Sequence, residues 1–223
     1  MIACLTWIYN EIIKSESIPK YFKRGYIVSI PKPGKKYTVK ENNRGITLLP
    51  VYYKLFEMIL LERESDWFKK TLCDLQGAAQ ENCSCQHTSM ITREAIAYNL
   101  GNGESVYGGI CDIQKAFDTV WIKGLLYKLI EAEIDIKSWK LIRDGYQEFV
   151  CAALTEGQPS EWFPIRRGVH QGAPYSMKLY MFYINKLLVE LKESNFGLRL
   201  GPINISCPAS ADDLTILSIH KTG

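Results

Sequence analysis

Apolar positions along the chain switch between helical and strand-like spacing, and each change of period marks an element. Residues 3–16, "ACLTWIYNEIIKSE", read as a helix ended by Ser17 and Pro19. "GYIVSIPKPGKK" is a β-branched run that breaks into a Pro/Gly turn carrying lysines, so it predicts a strand and a turn. After Pro50 the chain turns helical, with Leu55, Ile59 and Arg63 on one face and Phe56 and Leu60 beside them. A stretch rich in Gln, Asn, Cys and Ser follows, then a helix near 88–100. "SVYGGICDI" reads as a strand with two glycines, and "KGLLYKLIEAEI" and "SWKLIRDGYQ" as helices. "FVCAAL" and "WFPIRRGV" read as strands. A long helix then places Tyr180, Ile184, Leu187, Leu188 and Leu191 at helical spacing. The chain closes on a strand–turn–strand, with "GPINIS" and "LTILSI" as the strands around "ASADD". Helices mixed with antiparallel-type hairpins predict an α+β fold, without internal repeats or a low-complexity linker.

Composition narrows the picture only a little. At 223 residues, 47% hydrophobic and 23% charged, the chain suits one ordinary globular domain or two small ones. Its net charge of +3 is mild, but the distribution is uneven. Residues 20–44 hold Lys20, Lys23, Arg24, Lys32, Lys35, Lys36, Lys40 and Arg44 against Glu41 alone, so this segment is +7 and the remainder −4. A basic strip on a slightly acidic body suits a polyanionic partner, and on charge alone a solvated lysine-rich loop fits equally well. Seven cysteines without framework spacing point to a reducing compartment. Cys83 and Cys85 are separated by a single residue and no second ligand pair follows, so "CSCQH" does not have zinc spacing. The first residues carry no basic leader, Asn10 and Glu11 interrupt their apolar stretch, and no run of about 18 apolar residues occurs anywhere. The expectation is a soluble intracellular protein of the nucleus or cytoplasm, without a membrane partner.

The candidate chemistry lies in carboxylates. Asp112 ends the glycine-bearing strand, and Asp212 and Asp213 sit on the closing turn, one hundred residues further along. A strand end and a hairpin tip in one sheet can bring such groups together. Clustered carboxylates repel unless a cation joins them, and oxygen-only ligands select a hard ion such as Mg²⁺. Two such ions can activate an attacking hydroxyl and stabilise a leaving oxygen in phosphoryl transfer. Either motif alone is better read as a plain strand end or a polar turn.

Taken in order, "CDIQKAFDTVW", "RRGVHQGAPYSMKLYMFYIN" and "ASADDLTIL" resemble the three palm motifs of reverse transcriptases, most closely those of non-LTR retrotransposons. "IPKPGKKYTVKENNRGITLLPVYYKLFE" resembles the fingers segment of the same family. The resemblance runs from about residue 18 to 221 and implies a fingers–palm fold with an antiparallel palm sheet backed by helices, preceded by a leading helix over 1–17. It implies an RNA-directed DNA polymerase that adds deoxynucleoside triphosphates to a DNA primer on an RNA template. Two Mg²⁺ ions would serve it, with Mn²⁺ able to substitute. Asp112 and Asp212 become the metal ligands and Asp213 a supporting acid. Phe117 aligns with the ring that excludes a 2′-hydroxyl, and Gln171 and Gly172 with the segment touching template and nascent pair. Arg44 and Lys32 align with residues that grip the triphosphate, while Lys35 and Lys36 remain loop charges. Asp118 is expected to cap the helix that follows it.

Departures stand beside these matches. Ser210 precedes the A-D-D where the family often has an aromatic or cysteine, Gly45 follows Arg44 where proline is common, and "QGAAQENCSCQ" replaces a usually basic segment. The sequence stops shortly after the closing hairpin, so residues 18–223 read as fingers and palm without a thumb. Two other readings stay open: a nucleic-acid-binding remnant without catalysis, and an RNA-directed RNA polymerase.

Overall fold

The computed structural model describes residues 2–36, 38, 39, 42–194 and 196–221. In chain order the elements are α1 (Ile2–Ser15), β1 (Arg24–Pro31), β2 (Asn43–Leu48), α2 (Val51–Arg63), α3 (Ser65–Thr71), α4 (Cys85–Gly101), β3 (Tyr107–Asp112) and α5 (Ala116–Thr119). There follow α6 (Ile122–Glu131), α7 (Ile136–Tyr146), β4 (Val150–Thr155), β5 (Gln158–Pro159), β6 (Phe163–Pro164), α8 (Pro174–Glu193), β7 (Leu198–Leu200), β8 (Ile203–Ile205), β9 (Ala209–Ser210) and β10 (Asp213–Ser218). The chain divides into two compact units, one of residues 1–67 with 117–176 and the other of 68–116 with 177–223. The mixed α+β architecture agrees with the hydrophobic pattern. No described helix is long and apolar enough to cross a membrane.

In the first unit one sheet runs β2-β1-β4-β5, with β6 also on β4. The β1–β2 pair is antiparallel but β1–β4 is parallel, which the hairpin-based reading does not anticipate. Parallel neighbours need a long crossover, so nothing local in the sequence announces them. Helix α2 buries Tyr53, Phe56, Glu57 and Leu60 and leaves Leu55 and Ile59 exposed. Its core face is therefore rotated from the expected one and includes an acid. Tyr9 of α1 packs on Phe56 with ring centroids 5.6 Å apart, and its hydroxyl donates to the Tyr52 carbonyl. Lys23 leaves the basic strip: it is buried and paired with Asp144 at 3.1 Å, whose carboxylate also accepts the Ile18 N–H. Lys40 and Glu41 lie outside the described residues.

The second unit is built on an antiparallel sheet in the order β3-β10-β9 and a β7–β8 hairpin. Its core gathers Leu75, Ala95, Leu188, Leu198, Ile205, Leu214 and Leu217. Each such leucine or isoleucine contributes roughly 1.5–3 kcal/mol relative to exposure. Asn99, buried at the end of α4, donates to the Arg199 carbonyl and accepts its N–H, tying α4 to β7. Ile203–Ile205 of "GPINIS" pair with β7, while the hairpin partner of the closing strand is the two-residue β9 and the Leu217 N–H of that strand also donates to the Ser206 carbonyl. On α8, Tyr180 and Leu188 are buried but Leu187 is exposed. Only Phe163–Pro164 of "WFPIRRGV" is strand. Asp118 sits inside α5, and Trp121 occupies the N-cap of α6 without a side-chain bond, so the expected Asp118 cap does not form. All seven cysteines are free thiols.

Candidate active site

The closing turn is held by the strands on either side of it. Leu214 and Leu217 anchor β10 in the core, and Ser210 pairs with Asp213 across the two-residue turn Ala211–Asp212. Ala211 takes φ +57, a value that favours glycine at the first central position of such hairpins. On its other edge β10 pairs with β3 so that Asp213 faces Asp112 directly. The resemblance pairs Asp112 with Asp212, whereas the register opposes Asp112 to Asp213 and leaves Asp212 one residue away, in the turn. Directly opposed residues have Cβ atoms about 4.5–5.5 Å apart, a repulsive arrangement for two carboxylates without a counter-ion. Asp112 and Asp213 are exposed and Asp212 is half-buried. Among the described residues none of the three forms an ion pair. As donors they suit a hard divalent cation, although no three His, Cys, Asp or Glu side chains among the described residues already converge on one point.

Gln76 fixes this turn, a role that the sequence alone does not assign. It is 1% exposed; its side-chain oxygen accepts the Ala211 N–H at 2.8 Å and its amide donates to the Ala211 carbonyl at 3.3 Å. Both polar backbone groups of the residue with positive φ are thus satisfied by one buried carboxamide. The Gly77 N–H donates to the Ala209 carbonyl, and a Cβ at Gly77 would meet the Thr88 hydroxyl, which would have to move aside. The signal is "LQGAAQ", an amide inside an apolar–small run, which reads first as a loop. A cleft of about 490 Å³ opens beside Asp213, lined by Thr88 and Thr92 of α4 and by Ser210 and Thr215 of the sheet.

The other predicted site residues lie in the first unit. Arg44, opposite Ile30 in the β1–β2 register, is exposed. Lys32, also exposed, continues that ladder by donating its N–H to the Asn42 carbonyl. The segment 168–172 ties Phe117 to β2. The Val169 N–H donates to the Phe117 carbonyl at 2.8 Å, and the Thr47 N–H donates to the Gln171 carbonyl at 2.7 Å. Gly172 has φ +114, and a Cβ there would meet the Thr47 carbonyl oxygen at 2.9 Å. Glycine is required for both conformation and clearance. Phe117 and Gln171 are half-buried.

A second acid site in the same unit has the opposite character. Glu57 is buried beside Tyr53, Tyr146 and Tyr175, and burial raises its pKa to about 8, against a Tyr175 backbone hydrogen bond and the Lys54 charge, which lower it. One of its oxygens has no hydrogen-bond partner among the described residues. His170 stacks on Tyr146 at 4.8 Å and lies 3.9 Å from Phe149, and burial lowers its pKa to about 3. With these shifts neither group acts as a charge at neutral pH.

The reverse transcriptase (RNA-dependent DNA polymerase) profile matches residues 30–222. The chain belongs to the reverse transcriptase family. It is 27% identical to the RNA-directed DNA polymerase from mobile element jockey of Drosophila melanogaster, over 98% of this chain and 24% of that protein. It is 33% identical to "Probable RNA-directed DNA polymerase from transposon BS" of the same organism, over 97% of this chain and 24% of that protein. The chain thus spans about a quarter of the length of these curated relatives. Among solved structures it is similar to apo telomerase from Candida tropicalis, with TM-score 0.59 and 15% identity, covering 90% of this chain and 39% of that one. Telomerase from Candida albicans in complex with a fragment of telomeric RNA gives 0.56 and 13%, covering 96% and 41%. These similarities establish the polymerase fold. The chain is a reverse transcriptase domain of retrotransposon origin, and its family generally uses divalent metal ions. None of the matches favours an RNA-directed RNA polymerase or a non-catalytic remnant.

Proposed function

We propose that this domain extends a DNA primer on an RNA template with deoxynucleoside triphosphates, through Asp112, Asp212 and Asp213. One observation carries the reading: β3 and β10 set Asp112 against the acids of the closing hairpin, and among the described residues no cationic side chain is paired with them. Asp112 and Asp212 would hold two Mg²⁺ ions, or Mn²⁺ in their place, with Asp213 opposite Asp112 as the supporting acid. Bound there, the ions would supply activation of the primer 3′-hydroxyl and stabilisation of the departing pyrophosphate oxygen. The Gln76 clamp keeps Asp212 at the tip of the turn, so the carboxylate need not search for its position. Arg44 offers a planar donor fork to triphosphate oxygens and Lys32 a point charge. Phe117 is the ring that would exclude a 2′-hydroxyl, its backbone fixed by Val169, and Gln171 and Gly172 would touch template and nascent pair.

Primer extension on an RNA template tests this directly. Asp112→Asn should lower the rate about a thousandfold, equivalent to ~4 kcal/mol on the barrier, while the thermal midpoint stays within a few degrees. Extension at the parental rate by this variant would remove the carboxylates from the chemistry.

A further inference from the structure

On the solvent side of the first unit's sheet an arginine is held between aromatic rings. The Arg24 guanidinium lies 5.3 Å from the Tyr21 ring centroid and 5.6 Å from that of Trp162. Tyr26 tilts against Trp162 at 5.3 Å. Strand register explains the cluster. Tyr26 pairs with Ala152 on β4, and the Cys151–Phe163 pairing between β4 and β6 brings Trp162 to the far side of that alanine. Alanine is too short to separate the two rings, so they meet above it. Tyr21 is 78% exposed and Trp162 45%. The same strand face continues toward Arg44, because Tyr26 pairs with Leu48, Val28 with Ile46 and Ile30 with Arg44.

We propose that Tyr21, Arg24, Tyr26 and Trp162 form a stacking platform for the bases of single-stranded RNA. Proteins that hold single strands combine a cation for the backbone with aromatic faces for the bases, and an arginine layered among rings presents both. A protein-binding hot spot would instead bury its aromatics in a desolvated pocket, whereas these rings stay open to solvent. The identification of the strand as the template rests on the polymerase reading; the stacking geometry does not.

The test uses the whole chain without metal or triphosphate, with a 12-nucleotide oligouridylate and an abasic strand of equal charge as probes. The parent should bind oligouridylate about tenfold more tightly than the abasic strand, the scale of one stacked base, and its tryptophan fluorescence should be quenched. Trp162→Ala should remove that preference and most of the quench, while abasic affinity and salt dependence hold. Trp162→Phe, which keeps a ring, should retain the preference. Equal binding of the two probes by the parent, or a preference that survives Trp162→Ala, overturns the platform. Such an outcome leaves primer extension untouched, whereas inactivity of the parent in extension leaves the fluorescence result standing.

Discussion

The chain carries two kinds of acid site, one in each unit, and they differ in nearly every physical respect. Asp112 and Asp213 face each other from exposed positions on adjacent strands, without an ion pair among the described residues. Glu57 is buried among tyrosines, accepts a backbone N–H and keeps its proton at neutral pH. The same functional group is therefore available to a cation in one place and serves as a neutral brace in the other. Solvent access and the neighbouring dipoles make the difference, and sequence identity alone does not.

Three experiments would break or sharpen this contrast. The largest effect is expected at Gln76, because an exposed carboxylate pair depends on the backbone that aims it. Gln76→Ala leaves the Ala211 N–H and carbonyl without their partner, and should lower kcat about a hundredfold with little change in KM for the primer. An unaltered kcat would show that the turn holds itself.

The second experiment concerns Glu57, whose folded pKa of about 8 lies above its ordinary 4.5. The folded state keeps a proton that the unfolded state releases between those values, so this group costs increasing stability as pH rises from 4.5 to 8. His170 has the opposite slope: its pKa is about 3 rather than 6.5, so stability falls as pH drops from 6.5 toward 3. Glu57→Gln should add on the order of 2 kcal/mol at pH 8 and almost nothing at pH 4, read from denaturant midpoints. Identical midpoints for parent and variant at pH 8 would mean that Glu57 is ionised and hydrated.

The smallest effect tests whether exposed cations are as site-specific as exposed acids. Arg44→Ala should weaken triphosphate binding about tenfold and Lys36→Ala less than twofold. Matching losses at both positions would reduce the 20–44 segment to a diffuse basic surface.

What could be read in advance follows the range of the interactions. The strands "GYIVSIP" and "YGGICD" and the helices after Pro50 and through "SMKLYMFYINKLL" depend on local period, and they form where that period places them. The closing hairpin was legible for the same reason, although Asp213 opens β10 instead of sitting in the turn. The parallel β1–β4 pair, the opposition of Asp213 to Asp112 and the grip of Gln76 on Ala211 join residues 100 or more positions apart. No periodicity encodes such partners. Lys23 was misread because a lysine in a basic run reads as solvated unless its partner, here Asp144, is already known. Glu57 was hidden by a helix whose apolar stripe is wide enough to admit two faces.

Strand β3 has one further consequence. All six of its residues are exposed, Ile110 at 84%, two are glycines, and among the described residues its only ladder is to β10. The strand that carries Asp112 is thus the least anchored part of its sheet, while β10 is held by two buried leucines. Amide hydrogens of β3 should exchange sooner than those of β10, by local opening that leaves the core intact. A divalent ion shared between Asp112 and the hairpin acids would bind only the closed arrangement, so its binding energy would appear as slower exchange along β3. Metal affinity and strand order would then be a single equilibrium, and the edge of the sheet would close when the ion arrives.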